Sequence, residues 1–247
     1  MKILGVIPAR YSSTRLKGKV LADINGKPMI QHVWERAKKS SLLNDVLIAC
    51  DDERVVQAAK KFGAKVVLTS PAHPSGSDRI AEAVKSLDAD VVINIQGDEP
   101  LIDPSTIDTL AQAMNNDPAC VMATVITALN QEEDVLDPNC VKVVVDQNKN
   151  ALYFSRSAIP YHREKTDFSQ TEYYKHLGIY AYRKDFLLAF VRLPKSRLEK
   201  IEQLEQLRVL EAGYKIKTVL TDQQTIGVDT DADLLRVKEF FKKNVHG

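Results

Sequence analysis

An α/β fold, an open, mixed, mainly parallel sheet with helices on both faces, is predicted by three observations on this 247-residue chain. Short β-rich runs alternate with segments of helical periodicity through the first part of the chain, the signature of successive βαβ units. Those runs are apolar nearly throughout, as strands covered on both faces are. From Cys120 onward the alternation gives way to Val- and Thr-rich runs, which predicts a small strand-rich insertion, at about residues 150–190, within one domain spanning 1–247.

The elements follow in order. A first strand over Ile3 to Ile7 precedes a polar loop and then "PMIQHVWERAKK", where Met29, Ile30, Val33, Trp34 and Ala37 recur at helical spacing and Pro28 suits the first turn. Strand "VLIAC", helix "DERVVQAAKKFG" closed by Gly63, strand "KVVLT", helix "DRIAEAVKSL" and strand "VVINIQ" repeat the order. "LIDPSTIDTLAQAMNN" opens a further helix with Asp103 as N-cap and Pro104 as its first residue. "CVMATVIT", "VKVVVD", "NALYFS" and "KHLGIYAYR" read as strands, with an irregular stretch from Arg156 to Tyr173. "DFLLAFVRL" and "RLEKIEQLEQLRVLEAG" read as two helices, the second closed by Gly213; "YKIKTVLT" is a late strand and "DADLLRVKEFFKK" a terminal amphipathic helix.

Composition narrows the function classes. Hydrophobic residues make up 44% of the chain, enough for a full core. Net charge is +1, from 34 basic and 33 acidic residues, so no global field would hold a nucleic acid or an anionic membrane and any anion site must be local. The odd, widely spaced Cys50, Cys120 and Cys140 fit reduced thiols of the cytoplasm. "MKILGVIPAR" reaches Pro8 and Arg10 before an apolar signal segment is complete, and no run approaches a membrane span, so an unprocessed cytoplasmic chain is expected.

Three loops carry chemistry. In an open parallel sheet ligands bind outside the carboxyl ends of the strands. The loop leaving the first strand, "ARYSSTRLKGK", holds Arg10, Arg15, Lys17 and Lys19 but neither a dinucleotide glycine fingerprint nor a P-loop. Arg10, Arg15 and Lys19 suit a triphosphate, because arginine offers a planar fork and lysine a point charge to phosphate oxygens; a solvated basic loop is an equal reading. "NIQGDEPLI" ends a buried strand in Gln96, Gly97, Asp98 and Glu99. An acidic pair there repels phosphate unless Mg²⁺ intervenes, and Mg²⁺ prefers one or two carboxylates with phosphate oxygens and water. In "IGVDTDADLL" the spaced aspartates are not a calcium loop, since Leu234 replaces the turn glycine and Phe240 the bidentate glutamate. Thr230 as N-cap accounts for Asp231 and Asp233 at a helix start; Asp229 is left over, a candidate second metal ligand beside Asp98.

"IPARYSSTRLKGKVL", "DDERV", "HPSGSDRIAEA", "INIQGDEPLI", "YFSRSAIPY", "YKHLGIYAYR", "LEQLRVLEAG" and "GVDTDADL" together resemble, in order and over nearly the whole chain, the 3-deoxy-manno-octulosonate (Kdo) cytidylyltransferases. The resemblance implies a nucleotidyltransferase, Rossmann-like fold and Mg²⁺-dependent transfer of CMP from CTP to the anomeric hydroxyl of Kdo, releasing pyrophosphate, for lipopolysaccharide assembly. It implies a cytoplasmic homodimer, with the insertion serving sugar binding and dimerisation. Arg10, Arg15, Lys19, Ser77, Arg79, Gln96 and Asp98 would meet the nucleotide, Lys19 and Asp98 would be catalytic, and Asp98 and Asp229 would hold metal. Arg156, His176, Tyr180, Glu205 and Gln206 would fall to the sugar. Lys17 and Val20 stand where relatives commonly carry proline, Cys50 and Ser77 where threonine is usual.

The chemistry agrees with the resemblance. Attack of a sugar hydroxyl on an α-phosphate needs in-line geometry, charge neutralisation and a stabilised leaving pyrophosphate, which two Mg²⁺ ions sharing Asp98 would supply. Kdo is a carboxylate, a partner for Arg156, and His176 and Tyr180, four apart on one strand, share a face. On sequence alone, however, Glu205 and Gln206 read as surface decoration and His176 as a structural histidine. A cytidylyltransferase for another acidic sugar is the nearest alternative. A nicotinamide dehydrogenase is disfavoured by the missing glycine fingerprint, and a non-catalytic nucleotide-binding regulator by the two carboxylates.

Overall fold

The structure, a computed structural model, describes residues 1–12, 18–163, 171–223 and 227–244. The chain forms two compact units, Met1–Ala111 with Thr225–Gly247, and Gln112–Gln224. The insertion expected at about 150–190 falls inside the second unit, which is wider.

In the first unit four strands, β1 (Ile3–Ala9), β4 (Asp45–Cys50), β5 (Lys65–Leu68) and β6 (Val91–Asn94), lie in the order β6-β1-β4-β5. All are parallel: Ile3 pairs with Val91, Leu4 with Asp45 and Leu47 with Lys65. The adjacent residues Val6 and Ile7 of β1 are both fully buried, so both faces of this strand are covered. A short hairpin, β2 (Asp23–Ile24) and β3 (Lys27–Pro28), stands between β1 and the first helix; it was not legible in the sequence pattern.

Local chemistry sets the helix ends. Helix α1 (Met29–Ala37) begins after Pro28, which sits outside it as an extended N-cap. Helix α2 (Glu53–Lys61) starts where the Asp52 carboxylate accepts from the Arg54 amide at 2.9 Å. Helix α3 (Gly76–Val84) starts where Ser75 Oγ accepts from the Asp78 amide at 3.2 Å. Helix α4 (Pro104–Asn116) follows Asp103, whose carboxylate accepts from the Ser105 amide at 2.8 Å, as expected; the division between the units falls inside this helix.

The second unit is mixed. Strand β7 (Met122–Leu129) is followed by the short helix α5 (Glu132–Leu136) and then β8 (Lys142–Val145), β9 (Ala151–Ser155) and β10 (Tyr173–Arg183). β10 runs antiparallel to β7 and to β8, and β8 to β9. After α6 (Lys184–Phe190) the stretch expected as one long helix is two, α7 (Arg197–Glu202) and α8 (Gln206–Glu211). The break has a tertiary cause. Glu202, the last residue of α7, is held by Ser155 and Arg156, which donate to its carboxylate, while Arg156 Nε donates to its carbonyl at 2.7 Å. Gln203 then turns into the left-handed region at φ 54°, and its side-chain amide donates to the carbonyl of Lys200 at 2.7 Å. Gly213, at φ 83°, closes α8. Strand β11 (Lys217–Leu220) runs parallel to β7.

The terminal helix α9 (Asp231–Asn244) returns to the first unit. Thr230 and Asp233 hold its start reciprocally: Thr230 Oγ1 accepts from the Asp233 amide, and the Asp233 carboxylate accepts from the amides of Asp229 and Thr230. Val228 and Val237 pack with Ile24, Met29 and Leu101 in a fully apolar cluster.

Gly97 is required by contact rather than by a turn. A Cβ there would lie 2.7 Å from the backbone oxygen of Pro8, closer than a carbon tolerates. Gly97→Ala is expected to lower Tm by about 5 °C, since forcing a methyl group against backbone costs on the order of 1–3 kcal/mol. An unchanged calorimetric Tm would show that this loop yields freely.

Candidate functional site

Because β1, β4 and β6 are parallel, the segments that follow Ala9, Cys50 and Asn94 leave the same edge of the sheet. A cleft of about 480 Å³ lies there, formed by the segments after β1 and β6 and by the start of α3, and lined among others by Arg10, Lys19, Arg79, Gln96 and Asp98, five residues expected at a nucleotide. Arg15 lies outside the described residues. Ser77 does not line the cleft; it is buried, because α3 is capped two residues earlier and Ser75 and Gly76 take the exposed first positions. The helix thus presents its N-terminal end to the cleft, where backbone amides favour an anion. His73, which the sequence reading passed over, also lines it and hydrogen-bonds to Glu82. Only its place ahead of "PSGSDR" would have flagged it.

The basic and acidic loops meet through one ion cluster. Lys19 Nζ donates to Asp98 Oδ2 at 2.6 Å and to Asp229 Oδ1 at 3.2 Å, with only 12% of the lysine side chain exposed. Burial pulls the Lys19 ammonium toward deprotonation, but the two carboxylates outweigh it and raise its pKa above the ordinary lysine value. The Asp98 carbonyl also accepts from the Val228 amide at 2.9 Å, which ties the loop carrying Asp229 to the loop carrying Asp98.

The donor set is of a kind that fits a divalent cation. Two carboxylates from distant parts of the chain converge on one positive centre, here an ammonium. Hard oxygen donors of that number suit Mg²⁺, which takes its remaining ligands from phosphate and water. Among the described residues no group of three acidic, histidine or cysteine side chains gathers as a metal cage.

Behind the cleft Arg79 is buried, its guanidinium donating to Thr69 Oγ1 at 2.7 Å and to Asp51 at 3.0 Å. Arg10 Nε stands 4.0 Å from the same Asp51 carboxylate, its own side chain mostly exposed.

In the second unit His176 and Tyr180 come together as expected, with ring centroids 5.3 Å apart. They do so across an irregularity, since Leu177 pairs with Val125 and Tyr180 already with Thr124. Thr124 fills the bulge. Its hydroxyl lies 2.8 Å from the carbonyl of Ile179 and 3.0 Å from His176 Nε2, and hydrogen-bonds with both strand and ring. Burial lowers the His176 pKa to about 3 and pushes the Tyr180 phenol up, with the nearby Glu205 carboxylate adding to the latter. Gln206, expected at the surface, is instead 3% exposed, because the break at Gln203 turns the start of α8 inward. Its Nε2 has no hydrogen-bond partner among the described residues, a buried donor of the kind a ligand completes. Glu205 is paired with Arg208 at 3.5 Å. Arg156 belongs to another network: its guanidinium donates to the carbonyls of Glu202 and Pro138, and its own carbonyl accepts from the fully buried Lys142 at 2.6 Å.

A histidine buried neutral makes folding pH-dependent. The unfolded imidazole takes a proton near pH 6.5 and the folded one only near 3, so stability is full above about 6.5 and falls as pH drops between them. His176→Gln is expected to flatten that fall by up to about 1.4 kcal/mol per pH unit, read from urea midpoints between pH 6.5 and 4.5. Identical slopes for both proteins would mean that His176 titrates normally.

Comparison with known proteins gives the same reading. Residues 4–216 match the cytidylyltransferase family. A 3-deoxy-manno-octulosonate cytidylyltransferase of Geotalea uraniireducens is 50% identical, the alignment covering 98% of this chain and 100% of that one. Another, from Solibacter usitatus, is also 50% identical, covering 99% and 96%. The solved structure of CMP:2-keto-3-deoxy-manno-octonic acid synthetase complexed with CTP superposes with a TM-score of 0.94 at 47% identity, covering 99% of this chain and 100% of the other. Half-identity over nearly the full length of these relatives, with a family model matched over residues 4–216, makes this chain an enzyme of the 3-deoxy-manno-octulosonate cytidylyltransferase family.

Proposed function

We propose that this enzyme transfers CMP from CTP to the anomeric hydroxyl of Kdo and releases pyrophosphate, with Mg²⁺ held by Asp98 and Asp229. The observation that carries the metal assignment is the convergence of both carboxylates on Lys19 Nζ, at 2.6 and 3.2 Å, at a cleft lined by arginines.

In this reading Arg10, Arg79, Lys19 and the amides at the start of α3 take the triphosphate, and Gln96 lies along the nucleotide. Arg10 and Lys19 supply the positive charge that stabilises the leaving pyrophosphate. Bound Mg²⁺ supplies neutralisation of phosphate charge and polarisation of the phosphoryl oxygen. With Asp98 and Asp229 holding a cation, Lys19 would have its three donors for phosphate oxygens. For the sugar, the neutral His176, the Tyr180 hydroxyl and the unpartnered Gln206 amide offer uncharged hydrogen-bonding groups suited to hydroxyls, while Glu205 is a charged acceptor. Arg156 is the cation for the sugar carboxylate, a role that requires it to give up one of its carbonyl contacts.

The chain acts as a cytoplasmic homodimer in this reading. Leu152, Tyr161 and Ile201 of the second unit, each more than half exposed, support a partner of the same chain. Among the described residues no helix is long and apolar enough to cross a membrane.

Pyrophosphate release should require CTP, Mg²⁺ and Kdo together, across a panel that includes sialic acid and an amino-substituted Kdo. Asp98→Asn and Asp229→Asn should each lower kcat by on the order of a hundredfold or more and raise the Mg²⁺ concentration needed for half-activity. Turnover with another acidic sugar but not Kdo would move the sugar assignment. Undiminished, Mg²⁺-saturable activity in both variants would remove these aspartates from the metal site.

A further inference from the structure

The run "DDERV" at the end of β4 remains without a role in the site as described, although it stands beside the basic loop. Asp51 is nearly buried, with 7% of its side chain exposed, and both carboxylate oxygens are engaged. Oδ1 accepts from the backbone amide of Tyr11 at 2.9 Å, and Oδ2 from the Arg79 guanidinium at 3.0 Å, with Arg10 Nε 4.0 Å away. One carboxylate therefore joins the stem of the basic loop to the buried arginine of α3.

The same corner grips the loop a second way. The Arg54 guanidinium lies 3.6 Å above the centre of the Tyr11 ring and is itself oriented by a two-pronged pair with Asp52, at 2.8 and 2.6 Å. The Tyr11 carbonyl accepts from the Gly18 amide at 3.2 Å. Tyr11 is thus joined to Gly18, the residue immediately before Lys19.

We infer that Asp51 and Arg54 form a clamp that positions the phosphate-binding loop, so that Arg10 and Lys19 are presented to CTP in a fixed register. Neither touches the nucleotide; both are positioning residues. The inference rests on the reading of the cleft as a CTP site.

Electrostatics alone predicts the opposite sign, which makes the idea testable. Asp51 is a negative charge beneath the arginines of a site for a polyanion. Removing it makes the cleft more positive, which by charge alone would tighten CTP binding. If its contribution is geometric, replacing the carboxylate weakens binding, because an amide has one acceptor oxygen for two donors and Arg79 loses its counter-charge.

The experiment is titration calorimetry of CTP with Mg²⁺, together with steady-state kinetics, on the full-length wild type, Asp51→Asn, Arg54→Ala and Tyr11→Phe. Asp51→Asn should weaken CTP binding by roughly ten- to hundredfold, the worth of a hydrogen bond to a charged group. It should raise KM for CTP in step, with kcat within about threefold and KM for the sugar unchanged. Arg54→Ala, which leaves the buried pair intact, should weaken CTP by about two- to fivefold through loss of the stacked cation. Tyr11→Phe keeps both the ring and the backbone amide and should bind as wild type does.

A lower kcat at unchanged KM for CTP, as a smaller fraction of folded enzyme would give, overturns the clamp. So does Asp51→Asn binding CTP as tightly as wild type, or more tightly. A wild type that binds no CTP overturns the parent reading as well, whereas a wild type that binds normally beside an indifferent Asp51→Asn overturns the clamp alone.

Discussion

The parallel pairing of β1 with β4 and β6 is the constraint from which the site follows. Parallel strands send their chain onward from a common edge, so loops that are far apart in sequence become neighbours without any affinity of their own. Proximity then creates the chemistry. A basic loop, an acidic loop and a helix start that would each be ordinary solvated surface elsewhere are brought into one cleft, where their charges must be matched against each other. Lys19 between Asp98 and Asp229 is that match, and the Asp98 carbonyl contact with Val228 holds the third segment in place.

What was legible in the sequence is what local periodicity and capping encode. The strand-helix alternation of the first unit, Asp103 before Pro104 and Thr230 before α9 all depend on residues a few positions apart, and the structure has them. The facing of basic and acidic loops was also readable, because strand ends in a parallel sheet are forced to one side. The break between α7 and α8 was not. Every residue from Arg197 to Glu211 suits a helix, and the interruption comes from Ser155 and Arg156, more than forty positions away, capturing Glu202. With the break missed, Gln206 was placed at the surface, where a continuous helix would have put it. The burial of Ser77 was not legible for a smaller reason: the motif marks the turn, but the cap two residues earlier decides which side chains face outward.

Two kinds of buried polar group sit in this molecule, and they have different physical purposes. Arg79 with Asp51, Arg208 with Glu199 and Lys142 with two carbonyls are satisfied within their own units and fix backbone geometry. Such groups are costly to bury and costlier to leave half-paired, so they hold loops in a single arrangement. Gln206 Nε2 is buried without that satisfaction among the described residues, and it lies in the sequence beside Glu205, which in turn acts on Tyr180. The first kind builds a frame; the second is a donor the described residues leave unused.

The bulge at Thr124 reaches further than strand geometry. The one hydroxyl lies within hydrogen-bonding distance of both His176 Nε2, at 3.0 Å, and the carbonyl of Ile179, at 2.8 Å, so the irregular backbone and the imidazole are tied to the same atom. With a pKa near 3, that imidazole stays uncharged at neutral pH. A kink in one strand thus sets where two aromatic rings meet, and burial sets the charge that one of them lacks.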